Sequence, residues 1–298
     1  MASIETNGVT IEYQIHGVGE PMLFVMGLSG QLVDWPDPFL QLFLDEGFQV
    51  ITFDNRDIGL SSQTMWSPPG QTSMMAAALS RRPLKRVGYT LTDMADDAVG
   101  LLDGLGIDSA HIVGVSMGAM IGQEMAINHP HKVKSLCSIM SNTGDRRNGT
   151  ASISLLAQMA QCPSRFDDPV DVVVETFRLM SGPHFLAEPY RELAERRVKR
   201  SWTPAGSARQ TAAIMGSRDR TKLLGSISAP TLVIHGLLDR LVKPSGGVAT
   251  ASAIPTSRLL AFPEMAHDLP AIYWPEMKQA IIANTARHLL SVSKLKLP

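Results

Sequence analysis

Apolar and polar positions along the chain follow two different periods. Residues 9–16 (VTIEYQIH) switch sides at nearly every step, the pattern of a half-buried edge strand. Residues 22–26 (MLFVM) and 48–53 (FQVITF) are short and mostly apolar, as expected of strands covered on both faces. The runs 110–115 (AHIVGV), 133–140 (VKSLCSIM), 231–235 (TLVIH) and 258–262 (RLLAF) read as further strands. Between them apolar residues recur at helical spacing. This holds over 90–105 (Leu91, Met94, Ala98, Leu101, Leu102), over 117–129 and over about 274–290. Pro130 stops the second of these helices. Strands separated by helices predict an α/β fold, a mainly parallel sheet flanked by helices.

Two stretches break the alternation. Residues 63–88 carry three prolines, a Met-Met-Ala-Ala-Ala patch and a basic cluster. They read as a long surface loop with one amphipathic turn, or else as a flap over a site. Residues 143–225 are polar, rich in Arg and Glu, and helical in pattern without strands. They predict a helical cap (lid) inserted into a core made of 1–142 and 226–298. No internal repeat is visible, and the last residues, SKLKLP, read as a frayed tail.

Composition narrows the class. The 298 residues are 44% hydrophobic and 18% charged, which excludes a disordered or coiled-coil chain. A chain this long buries about three quarters of its unfolded surface, so its core needs neither disulfide nor structural metal. Lys and Arg number 27 against 28 Asp and Glu, which supplies no basic face for nucleic acid. Cys137 and Cys162 form no C-x-x-C pair, and no apolar run of membrane-spanning length exists. The N-terminal residues lack the basic and apolar regions of a secretory signal. The expectation is a cytoplasmic protein with no membrane insertion, no metal and no cofactor.

Residues 114–118 read Gly-Val-Ser-Met-Gly. Such a spacing arises by chance about once in ten chains of this length, so its context matters more than the motif. It lies between a strand and a helix, where a sharp elbow lifts Ser116 above the sheet edge and aims the next helix N-terminus at it. A serine needs a base, and the base needs an orienting carboxylate. His267 sits in the loop PEMAHDLP after the last strand, at the carboxyl edge where open α/β sheets keep their sites. His16, His111, His129, His131, His184 and His288 read as surface or packing residues, and His235 as structural. Asp239 follows the strand that ends at Gly236 and is the expected acid, with Asp145 as the alternative. Asp268 reads as a solvated loop residue. An oxyanion would be met by the backbone N–H groups of Met117 and Leu28, or of Ser29 in place of Leu28. Of sixteen methionines, Met26, Met120 and Met265 neighbour these positions. They either line an adaptable apolar pocket or fill gaps in the core. The charged turn Asp54-Asn55-Arg56-Asp57 either contacts substrate or, as favoured here, braces the loop after residue 26.

The stretches FVMG, DWPD, FDNRDIGLSS, DAVGLLDGLGI, HIVGVSMG, PTLVIHGLLD and the terminal His loop are spread over most of the chain's length. In this order they resemble the α/β-hydrolase fold family, and within it the esterases related to aclacinomycin methylesterase. The resemblance implies an eight-stranded sheet, a helical cap, a Ser116–Asp239–His267 triad and cleavage of a small-molecule carboxylic ester. Met26-Gly27 departs from the His-Gly often found in the family, and Ala266 from the Gly that often precedes the histidine. The cap shares least, so no substrate is carried over; the methionines point to a short- to medium-chain or bulky apolar ester. Cofactor-free haloperoxidases, perhydrolases and lactonases use the same triad, and a non-catalytic ligand-binding protein on this fold is a remote alternative. An exposed cap face suits a homodimer.

Overall fold

The computed structural model of the chain describes residues 2–294. Its strands are β1 (Ala2–Thr6), β2 (Val9–His16), β3 (Glu20–Val25), β4 (Phe48–Phe53), β5 (Ala110–Val115), β6 (Val133–Ile139), β7 (Thr231–Gly236) and β8 (Ser257–Phe262). They form one sheet in the order β1-β2-β4-β3-β5-β6-β7-β8. The pairs β1–β2 and β2–β4 are antiparallel, and all others are parallel. Helices are α1 (Asp37–Leu44), α2 (Gln71–Ser80), α3 (Leu91–Gly104), α4 (Met117–Asn128), α5 (Ile153–Arg165), α6 (Pro169–Met180), α7 (Ala187–Arg200), α8 (Pro204–Gly216), α9 (Ser245–Ala253) and α10 (Trp274–Lys294).

The period of two decides which side chain meets which helix. Leu23 and Val25 of β3, Ile51 and Phe53 of β4, and Ile112 of β5 join Leu91, Met94 and Leu102 of α3 and Ile121 of α4. Met22 and Phe24, Val50, and Val113 and Val115 face the other way, onto Phe39 and Phe43 of α1 and Met277 and Ile281 of α10. The central strands are therefore buried on both sides, which is why they read as apolar runs.

Three elements depart from the sequence reading. β1 is a polar, largely exposed edge strand without an apolar signature. It pairs with β2 across Asn7-Gly8, both at positive φ (47° and 74°), a two-residue turn that Asn-Gly is suited to make. α1 is only eight residues long, with Pro36 at its N-cap and Pro38 in its first turn, and its buried Phe39, Leu40 and Phe43 hold it. Within 63–88, ten residues form α2 in place of the single turn expected, because Met and Ala are strong helix formers. α2 packs on α8, and the Leu84 N–H donates to the Met215 carbonyl at 2.9 Å. The interval 143–225 carries α5 to α8 and no strand among the described residues. Of the expected tail, residues 293 and 294 close α10, and 295–298 lie outside the described residues. No described helix is long and apolar enough to cross a membrane.

His111 on β5 shows how the sheet handles a titratable group. Its ring is 2% exposed, with Nδ1 2.8 Å from the Ser135 hydroxyl and Nε2 3.2 Å from Glu20. Burial lowers its pKa to about 4, against the opposing pull of Glu20 and with help from Lys134 and His288. His235, also buried, is shifted in the same direction. An unfolded chain protonates His111 near pH 6.5, whereas the folded chain resists until about pH 4, so acid favours unfolding across that window. The His111 share is on the order of 3 kcal/mol, fully present above pH 6.5 and gone below the folded pKa. Thermal melts of wild type and His111→Gln between pH 7.5 and 4 (a range chosen about those values) are expected to show a shallower acid decline for the variant. Parallel declines would contradict this account.

Candidate active site

Ser116 joins the end of β5 to the start of α4 with φ 54° and ψ −117°, a strained conformation for a residue with a side chain. The neighbours make room for it. A Cβ at Gly118 would lie 2.0 Å from the Val25 carbonyl oxygen, and one at Gly114 would lie 2.5 Å from the Gly118 carbonyl. Any side chain at either position would meet backbone, which has no rotamer to give. Gly27 backs onto the elbow from the loop after β3: a Cβ there would fall 3.2 Å from Ser116 Cβ and 3.8 Å from its Oγ.

Around this serine the structure brings together the three residues expected from the sequence. His267 Nε2 is 3.0 Å from Ser116 Oγ, and His267 Nδ1 is 2.7 Å from Asp239 Oδ2. Asp239 is 2% and His267 8% exposed. The N–H groups of Leu241 and Val242 both donate to Asp239 Oδ1 at 2.8 Å, leaving Oδ2 for the imidazole. A neutral imidazole so placed carries its proton on Nδ1 and presents Nε2 to the serine as an acceptor. His235 Nε2 lies 3.6 Å from the same carboxylate but bonds the Val242 carbonyl at 2.7 Å. Its role is to fasten the loop that carries Asp239.

Asp145, the alternative acid, is occupied elsewhere: its Oδ1 accepts the N–H groups of Arg147 and Asn148 at 3.0 and 2.8 Å. Asp268 corrects the expectation of a solvated residue. It is 6% exposed, because the connection after α6 lies against it. Oδ1 accepts the Ala266 N–H at 3.0 Å and Oδ2 the Gly182 N–H at 3.3 Å. Burial pushes its carboxyl up, against these N–H donors and the nearby His267. The His267 N–H in turn donates to the Met180 carbonyl at 3.0 Å. The histidine loop is thus bonded to the last residue of α6 and to the segment that follows it.

Leu28, in the loop after β3, and Met117, the first residue of α4, flank the serine as expected, and neither backbone N–H has a protein partner among the described residues. The Gly27 carbonyl accepts the Gly30 N–H at 3.1 Å, so the planar trans peptide turns the Leu28 N–H to the opposite side. Ser29, the alternative donor, is spent: its N–H donates to Gln210 Oε1 at 2.9 Å. The methionines divide between the two faces of the sheet, Met120 on the α3–α4 side and Met26 and Met265 on the other. Met265 is wholly enclosed, so it presents no surface to a ligand in this structure and belongs to the core. Met26 and Met120 keep 8% and 5% of theirs.

The turn at 54–57 braces the Leu28 loop. Asp54 accepts the Leu32 and Leu60 N–H groups at 2.7 and 2.9 Å, and Asn55 Nδ2 donates to the Met26 carbonyl at 3.0 Å. What the sequence reading missed is the other half of this network, which comes from α7 and α8. Arg197 pairs with Asp34 at 3.1 Å, Arg200 with Asp54 at 2.7 Å and Arg209 with Asp57 at 3.0 Å, all largely buried. Burial pushes the Asp34 and Asp54 carboxyls up, while Arg197 and Arg200 respectively pull them back down. Arg-rich ERRVKR has the composition of a solvated helix face, and nothing local in it announces a buried partner. No group of three or more His, Cys, Asp or Glu side chains among the described residues is placed to hold a metal.

Gly118→Ala is expected to cost more than about 3 kcal/mol, since backbone must move to admit the methyl group. Gly122→Ala on the same helix meets only the side-chain tips of Leu136 and Ile112 at 2.9 and 3.1 Å and should be tolerated far better. Denaturant melts of the two variants check this; equal stability would contradict the close-approach argument.

Known proteins match over nearly the whole length. Rhodomycin D methylesterase DnrP of Streptomyces peucetius is 26% identical, covering 90% of this chain and 93% of its own. A Mycobacterium tuberculosis protein provisionally named non-heme bromoperoxidase BpoC is 27% identical over 87% of this chain and 91% of its own. Among solved structures, the esterase EaEST of Exiguobacterium antarcticum superposes with a TM-score of 0.74 over 95% of this chain and 98% of its own, at 18% identity. The profile of the alpha/beta hydrolase fold family matches residues 20–270, and the chain belongs to that family.

Proposed function

We propose that the protein hydrolyses carboxylic esters through an acyl-enzyme on Ser116. The observation that carries this reading is the continuous relay from Asp239 through His267 to the Ser116 hydroxyl, at 2.7 and 3.0 Å, on a strained elbow. His267 Nε2 takes the Ser116 proton as Oγ bonds to the ester carbonyl carbon. The carbonyl oxygen becomes an oxyanion and accepts the N–H groups of Leu28 and Met117. The tetrahedral intermediate collapses, the bond to the alcohol oxygen breaks, and His267 returns its proton to that leaving group. Water, deprotonated by the same nitrogen, then attacks the acyl carbon and releases the carboxylic acid and free Ser116. Asp239 keeps the imidazole oriented and stabilises it while charged. No step calls for a metal or cofactor. In this reading α5 to α8 are the lid that shapes the substrate pocket. The methylesterase named among the relatives supports ester cleavage.

A second reading, perhydrolysis, has the bromoperoxidase-named relative in its favour. There hydrogen peroxide replaces water in the second half and the product is a peracid. Acetate with peroxide as substrates separates the two.

Wild type is expected to hydrolyse p-nitrophenyl esters, with a chain-length optimum that reports the pocket's size. Ser116→Ala should lose essentially all of this activity, and Asp239→Asn about 10⁴-fold in kcat while remaining folded. A Ser116→Ala variant as active as wild type would remove the reading.

A further inference from the structure

The turn that presents the Leu28 N–H has one hydrogen bond of its own, from the Gly30 N–H to the Gly27 carbonyl, and that bond leaves both backbone groups of Ser29 unpaired within the turn. Ser29 sits at φ 64°, in the left-handed region that favours glycine. Its conformation is held from outside, by two side chains of the inserted helices. Gln210 of α8 is fully buried, and its Oε1 accepts the Ser29 N–H at 2.9 Å. Its Nε2 donates to the Arg56 carbonyl at 2.9 Å, so both ends of the amide are satisfied and its direction is set. Arg197 of α7 donates through Nη2 to the Ser29 carbonyl at 2.5 Å and through Nη1 to Asp34 at 3.1 Å. The N–H and the C=O of one residue are therefore gripped from α8 and α7 respectively. Gln31 completes the grip, its Nε2 donating to the Arg197 and Ser201 carbonyls at 3.1 and 2.8 Å.

We infer that Gln210, with Arg197, is a positioning residue for ester cleavage: through Ser29 it holds the Leu28 N–H where the oxyanion forms. The inserted helices then contribute to turnover as well as to substrate choice. This rests on the esterase reading above. It follows from what an oxyanion donor requires. Such a donor acts only if it is already aimed when charge develops, and a turn free to relax by even a fraction of an ångström loses much of that effect. Without Gln210 the half-buried Ser29 N–H loses its protein partner, and a left-handed serine loses one of the two bonds that hold it there.

The test uses the full-length protein with Gln210→Met and Gln210→Glu. Methionine fills a similar volume without either hydrogen bond. Glutamate keeps an acceptor for the Ser29 N–H and, protonated in this buried place, keeps an O–H donor for the Arg56 carbonyl. Turnover of a p-nitrophenyl ester is expressed per site titrated with a fluorophosphonate, so that unfolded protein does not count. Gln210→Met is expected to lower kcat about 10- to 100-fold with KM within a few fold, a part of what losing a donor outright costs. Its inhibition constant for a trifluoromethyl ketone, whose adduct carries an oxyanion, should rise by a similar factor. Gln210→Glu should stay within a few fold of wild type on both readouts. The inference is overturned if Gln210→Met keeps wild-type kcat per titrated site, or if the two variants fall equally. A wild type that neither turns over esters nor takes the label would remove the esterase reading, and this inference with it.

Discussion

The site depends first on how closely two backbones pass at the start of α4. Val25 ends β3, Gly118 lies in the first turn of α4, and no Cβ fits between them. β3 and β5 are adjacent and parallel, so the loops leaving their carboxyl ends emerge side by side. That adjacency sets Gly27 against Ser116 and brings the loop that carries Leu28 beside the start of α4, where Met117 lies. β7 and β8 deliver Asp239 and His267 from the same edge, with Asp239 three residues past the end of its strand and His267 five past the end of β8. A residue added at the elbow would displace every one of these relations together.

A second constraint is electrostatic. The loops that frame the serine are fastened by charges the fold has taken out of water: Asp34, Asp54 and Asp57 on one side, Arg197, Arg200 and Arg209 on the other. Burying such groups is costly unless each is paired and hydrogen-bonded, and removing one partner of a buried pair costs about 3–5 kcal/mol. The inserted helices are consequently bonded to the catalytic loops at three places. α7 and α8 hold the turn at Ser29, the same helices hold Asp54 and Asp57, and the end of α6 with the segment after it holds the histidine loop through Met180 and Gly182. Sequence change in the insertion is therefore free on its outer face and constrained where it meets these loops.

Much of the framework was legible because it rests on local signals. Central strands buried on both faces must be apolar throughout, and the glycines at 114 and 118 mark the elbow that Ser116 requires. Asp239 and His267 were readable from their places just after strands, and the geometry joins them. β1 left a weaker trace, an Asn-Gly turn after a polar strand that no apolar period reveals. Asp268 was misread because its neighbours in sequence say nothing of the α6–α7 connection, more than 80 residues away, that buries it. Gln210 and Arg197 were illegible for the same reason. A glutamine on a small-residue helix and an arginine in a basic run acquire meaning only from Ser29, 181 and 168 residues distant.

The central claim is that Ser116 becomes acylated during ester cleavage. Wild type and His267→Ala, mixed with p-nitrophenyl acetate and quenched in acid within the first turnover, can be weighed as intact chains and mapped by peptide. The account predicts one added acetyl group per wild-type chain, located on Ser116, with the adduct absent from His267→Ala over the same interval. Rapid release of nitrophenol by wild type with no acyl group on Ser116, or with the group on another residue, would contradict it.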